Sequence, residues 1–72
     1  MEVLEEVREE RKRQDELWGE QNHGDGMWLA ILVEEVGEVA NDINERSKKL
    51  REELIQVAAV ACCWVEAIDR RE

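Results

Sequence analysis

The sequence has no proline, two cysteines and one histidine among 72 residues. With no proline, nothing forces a kink or removes a backbone donor from a helix. The two cysteines, Cys62 and Cys63, are neighbours in sequence. Neighbours on a helix point about 100° apart, so these two cannot bond to each other. They read as small buried hydrophobes in a reducing compartment. No CxxC pattern is present, which argues against a zinc or redox site. The single histidine, His23, does not stand in the Glu-x-x-His spacing of di-iron carboxylate bundles, which argues against that class. It reads as a structural or solvated loop residue. The apolar runs are too short to span a membrane and the N-terminus is acidic rather than basic. No membrane partner and no signal peptide are therefore expected, and the expected location is cytoplasmic. Positive charge is scarce: 10 Lys and Arg against 19 Asp and Glu leave a net charge of -9. Nucleic acid is thus excluded as a direct partner.

Charged residues make up 40% of the chain and hydrophobic residues 43%. That mixture suits helices packed on one another. The expectation is a single all-α domain over residues 1–72. A chain this short buries only a small core. The pattern predicts a first helix over residues 2–18, with Leu4, Val7, Arg11, Gln14 and Trp18 near one face. Gly19 to Gly26 holds three of the four glycines and reads as a loop. Within it, Asp25 is a candidate N-cap, and Gln21 and Asn22 are candidate ligand hydrogen-bonders. A second helix is predicted over residues 26–46 and a third over 48–70. Weak helix formers (Asn41, Asp42, Asn44 and Ser47) mark the break between them, and Ser47 is placed to cap the third.

The second helix carries the cluster Glu34-Glu35-Val36-Gly37-Glu38. On a helix, Glu34 and Glu38 are one turn apart, and Glu35 and Glu38 share a side that continues to Asp42. Trp28, Leu29, Leu32, Val33, Val36, Val39, Ala40 and Ile43 form the opposite, core-facing arc. Like charges at this spacing repel, and a carboxylate beside apolar surface needs a cation. Either Lys and Arg side chains or a hard divalent ion with oxygen ligands can supply one. Lys12 and Arg13 of the first helix are candidate cations.

From Leu54 to Ile68 only Gln56 and Glu66 are clearly polar. A helix apolar almost all round is buried on most sides. One protomer has too little other surface to cover it. The third helices therefore belong at the centre of a homo-oligomer, where helical hairpins assemble into a four-helix-type bundle. Glu53 and Gln56, three residues apart, mirror Glu35 and Glu38. In an antiparallel hairpin the two pairs face each other, as ligands converge in bundle metal sites.

These residues resemble the MazG-like all-α nucleotide pyrophosphohydrolases, whose signature is EExxE, a spacer and ExxD. Here the halves are Glu34-Glu35-Val36-Gly37-Glu38 and Glu53-Leu54-Ile55-Gln56. The preceding stretch RQDELWGEQNH, with Arg13, Trp18 and Asn22, looks like one branch of that family. The resemblance runs from residue 13 to 70. It implies a helical dimer or tetramer that hydrolyses nucleoside triphosphates to the monophosphate and pyrophosphate with Mg2+, or Mn2+ in its place. By position, Glu35, Glu38 and Glu53 would be metal ligands, and Glu34 a ligand or the group that orients the attacking water. Gln56 stands where the common motif has Asp. Its amide oxygen can ligate a hard cation, but it adds no charge and cannot act as a base. Arg13, Lys48, Lys49 and Arg51 are candidate phosphate donors. Trp18 or Trp28 could stack on the base, although core packing is the commoner role. The connection between the second and third helices is shorter than in many family members, so part of the pocket would be absent or supplied by a partner protomer. The alternative reading is a non-catalytic helical assembly module built on the same fold.

Overall fold

The computed structural model describes residues 1–71. They form three helices: α1 (Val3–Trp18), α2 (Asp25–Glu45) and α3 (Leu50–Arg71). The predicted order, breaks and loop all appear, with ends shifted by one or two residues. The side chain of Glu2 caps α1 by accepting from the Leu4 amide at 3.0 Å. Glu5 and Glu6 in the first turn favour the helix dipole. Gly19 ends α1 at φ 72°, a left-handed backbone that favours glycine, and its amide donates to the Asp15 carbonyl at 2.8 Å.

The turn after α2 is a Schellman arrangement. The Ser47 amide donates to the Asp42 carbonyl at 2.8 Å and the Arg46 amide to the Ile43 carbonyl at 3.2 Å. Arg46 takes the left-handed position, with φ 54°. Ser47 does not cap α3, which begins only at Leu50; its Oγ accepts from the Lys49 amide at 3.1 Å within the turn before the helix. Asp25 does not cap α2 either. Gly24 is the N-cap of α2, with no side-chain cap, and Asp25 is the first helical residue.

α3 is the middle element. α2 returns along it as an antiparallel hairpin, and α1 lies against another side. No residue pair joins α1 to α2 with Cα atoms within 8 Å among the described residues. Two ion pairs tie α1 to α3. Arg51 donates to Glu6 at 2.7 Å near the start of α3, and Arg11 pairs with Glu66 further along. The core centres on Trp28, only 2% exposed, packed on Val60 and Ala67 and flanked by Ile31, Leu32, Cys63 and Trp64. Burying one Trp removes about 150–250 Å² from water, worth roughly 4–6 kcal/mol as an upper estimate. Ala59 is fully buried. Its small side chain suits close helix approach.

The predicted core arc of α2 is only partly the core. Trp28 and Leu32 turn inward, together with Ile31, Val39, Glu35 and Asp42. Leu29, Val33, Val36, Ala40 and Ile43 face outward. The cause is that α2 has apolar residues on two arcs. Packing on α3 uses the one that also carries Glu35 and Asp42. On α1, likewise, Val7, Arg11 and Gln14 turn inward while Leu4 and Trp18 are exposed. The body is flat, 41 × 29 × 18 Å, and leaves one side of the hairpin open. Among the described residues, no helix is long and apolar enough to cross a membrane.

Candidate functional site

The antiparallel hairpin brings the two halves of the acidic motif together. Glu35 of α2 and Glu53 of α3 both reach Gln56, one turn along α3 from Glu53. With its amide nitrogen toward them, Gln56 donates to Glu53 Oε2 at 3.1 Å and to Glu35 Oε2 at 3.2 Å. Turned oxygen-first, the same amide adds a third oxygen, and the three then need a cation. Burial pushes the Glu35 carboxyl above its ordinary value, and the charges of Glu53, Glu38, Glu34 and Glu10 push it further. Glu53 is also raised, first by burial and then by Asp42 and Glu38, with Lys49 opposing. Glu34 and Glu38 are exposed. Asp42, one turn beyond Glu38, is only 8% exposed, and its Oδ2 has no hydrogen-bond partner.

These donors are all oxygens, which suits a hard divalent cation and no soft one. The orphaned carboxylate oxygen and the raised carboxyls point the same way. Among the described residues, no three His, Cys, Asp or Glu side chains already converge as a closed metal cage. Mg2+ commonly uses one or two carboxylates and keeps several waters.

α1 supplies an ion pair beside this cluster. Arg13 grips Glu10 through two hydrogen bonds, at 2.6 and 2.9 Å, and Gln14 donates to the same carboxylate at 3.0 Å. Glu10 is therefore held below its ordinary pKa, chiefly by Arg13. The Arg13 charge also reaches Glu35.

A groove of about 700 Å³ runs from Glu35 and Gln56 past Arg13 to the loop after α1. Trp18, His23 and Trp28 form its aromatic end. Trp28 takes the core role, whereas Trp18 is 62% exposed and presents a free ring face. His23 meets Trp28 edge-on, with centroids 5.0 Å apart. Its Nε2 lies 2.9 Å from Gln21 Oε1. Asn22 lies outside the groove lining, bonded to Arg70 at 2.9 Å. Lys48 and Lys49 sit in the α2–α3 turn, also outside the lining. Arg51 is committed to Glu6. Cys63 lines the groove, and burial pushes its thiol pKa up against the opposing pull of Arg11. It is therefore a poor nucleophile.

Sequence reasoning missed Glu10, Gln14 and Arg70 as neighbours of the site, whereas Asp42 was placed on the side of Glu35 and Glu38. Gln14 had a signal, since it is a polar residue on an inward helical face. Arg70 had none, because its role depends on where the loop returns.

No family model, curated protein or solved structure matches this chain.

Proposed function

We propose that this chain is a divalent-metal-dependent nucleoside triphosphate pyrophosphohydrolase of the MazG-like kind. The observation that carries the proposal is the meeting of Glu35, Glu53 and Gln56 across the hairpin, at one end of a groove whose other end is aromatic. Two carboxyls there are raised, first by burial and then by neighbouring carboxylates, so the site is short of a cation. Glu35, Glu38, Glu53 and Gln56 would hold Mg2+, or Mn2+ in its place. When bound, the metal supplies Lewis-acid polarisation of a phosphoryl oxygen and lowers the pKa of a water. The chain's own work is positional. Glu34, which is exposed, orients that water and accepts its proton. Arg13 donates to an outer phosphate once released from Glu10. Trp18 stacks on the base.

The protein acts as a homo-oligomer in this proposal. The exposed α2 residues Leu29, Val33, Val36, Ala40 and Ile43 recur at alternating intervals of four and three. Leu54, Ala58, Ala61 and Val65 do the same on α3, between exposed and half-buried. That is the seam of a four-helix bundle made from two hairpins. The second reading, a non-catalytic assembly module, uses the same seam and draws on the absence of a preformed cage among the described residues.

The test is a pyrophosphate-release assay over ribo- and deoxyribonucleoside triphosphates with Mg2+, with the monophosphate product identified and the oligomer checked by sedimentation. Turnover is expected to require Mg2+ and to fall at least about 100-fold in Glu38→Gln with the helical circular dichroism intact. A sedimenting oligomer with no release would leave the assembly reading standing.

A further inference from the structure

We infer that Arg70 is a positioning residue that latches the Gly19–Gly24 loop to the end of α3 and so shapes the aromatic end of the groove for a nucleotide base. The inference deepens, and rests on, the nucleotide reading above.

Residues 20–23 make no backbone–backbone hydrogen bond among the described residues. Their shape must come from side chains. A single guanidinium provides most of it. Arg70 Nε donates to Asn22 Oδ1 at 2.9 Å, and Nη2 donates to the Gln21 carbonyl at 2.9 Å. Glu20 Oε1 lies 3.4 Å from Nε. Three consecutive loop residues thus meet one planar fork, the geometry for which Arg is suited and Lys is not. The hold continues inward from Gln21 to His23, and from His23 to the edge of Trp28. Glu20, Gln21, His23 and Arg70 itself line the groove.

The next residue acts elsewhere. Arg71 donates to both Asp25 oxygens at 2.7 and 2.8 Å, and Trp64 Nε1 reaches Asp25 at 3.0 Å. That pair pins the first turn of α2 and does not line the groove. Loss of Arg70 would leave the Gln21 carbonyl and Asn22 Oδ1 without their donor and free the loop wall. Glu35 and Gln56 sit on helix bodies, so the carboxylate end would keep its geometry. Base binding should weaken while the chemical step persists.

The experiment uses the full chain and its variants Arg70→Ala, Arg70→Lys and Arg71→Ala. Binding of the α,β-methylene analogues of the four common deoxyribonucleoside triphosphates with Mg2+ is followed by Trp fluorescence. Pyrophosphate release and the NMR backbone order parameters of residues 20–24 are measured alongside. Arg70→Ala is expected to weaken the tightest analogue and raise KM by about tenfold, with kcat changed less than about twofold. The loop order parameters should fall even without nucleotide. Arg70→Lys should recover part of the affinity, and Arg71→Ala should leave it unchanged. Equal affinity in Arg70→Ala, or unaltered loop order parameters, overturns the latch and leaves the nucleotide reading intact. An unmodified protein that binds no analogue and releases no pyrophosphate overturns the nucleotide reading and the inference with it.

Discussion

At the loop end of the groove, Arg70, Arg71 and Trp64 answer Glu20, the Gln21 carbonyl, Asn22 and Asp25 almost group for group. At the carboxylate end, Glu35 and Glu53 share only the amide of Gln56, and Asp42 keeps a buried oxygen without a partner. The pKa directions follow this division. Asp25 is lowered, by its hydrogen bonds from Trp64 and then Arg71. Glu35 and Glu53 are raised, each first by burial. One end is built to hold the fold and the other is left short of positive charge. The cation site proposed above would have this signature, because full neutralisation by the protein would leave nothing for the cation to do. The contrast can be broken or sharpened by substitution at either end.

The largest effect should come from Trp28→Ala, at the packed end. The side chain is 2% exposed and anchors the cluster with Val60 and Ala67. Its removal should cost about 3–5 kcal/mol, through lost burial and the cavity left behind. Small domains have little more than that in total. Denaturant unfolding should show the variant largely unfolded at 25 °C, and a Tm close to that of the parent would place the core elsewhere.

Gln56→Asp moves the other end in a single step. It replaces a neutral donor to two carboxylates with a third negative charge. The metal-free fold should lose about 2 kcal/mol at pH 7 from the lost donor and the added repulsion. Mg2+ should restore it, with tighter binding than in the parent because the site gains charge. Calorimetric titration with Mg2+ and thermal unfolding, each with and without the ion, test both halves. Stability that ignores Mg2+ in both proteins would remove the cation site.

Glu35→Gln separates the ends by pH. The folded-state pKa of Glu35 is raised above its ordinary value of 4.5. The folded protein therefore favours the protonated form. The stabilisation from protonation is full below pH 4.5 and lost as pH rises through the folded pKa. Glu10 behaves in the opposite sense. Lowered mainly by Arg13, it contributes stability above 4.5 that is lost as pH falls through its folded pKa. Glu35→Gln should thus raise Tm at pH 7 by a few degrees, about what a fraction of a kcal/mol gives in a domain this size. The gain should vanish toward pH 4. A Tm lowered at pH 7 would show that Glu35 is already satisfied.

The helix order and both breaks were legible because glycines and weak helix formers punctuate long periodic segments. The approach of Glu35 to Glu53 and Gln56 followed from two i, i+3 pairs on an antiparallel hairpin. The inward arc of α2 was not legible, since Leu29, Val33, Val36 and Ile43 are as apolar as the residues that were buried. Periodicity finds a face but cannot choose between two apolar arcs. That choice is made by packing on α3, where Trp28 is buried and Glu35 turns inward with it. Asp25 misled for a related reason. Its local pattern suits an N-cap, and a tertiary contact with Trp64 and Arg71 outbids the cap.

A comparably small effect tests how the carboxylate end is held in register. Arg46 adopts φ 54° in the Schellman turn, a left-handed conformation that costs a non-glycine residue about 1–2 kcal/mol. Glycine avoids that cost but loses about 0.5–1 kcal/mol through the freedom it adds to the unfolded chain. Arg46→Gly should therefore gain about 0.5–1 kcal/mol, the difference between the two. The turn's amides bond to the Asp42 and Ile43 carbonyls, so the turn fixes where α2 ends opposite Glu53. Relaxing strain without moving those bonds should raise the urea midpoint and leave Mg2+ affinity unchanged. A stabilised variant with altered Mg2+ affinity would mean that strain in the turn, and not the helix faces alone, sets the spacing of the carboxylates.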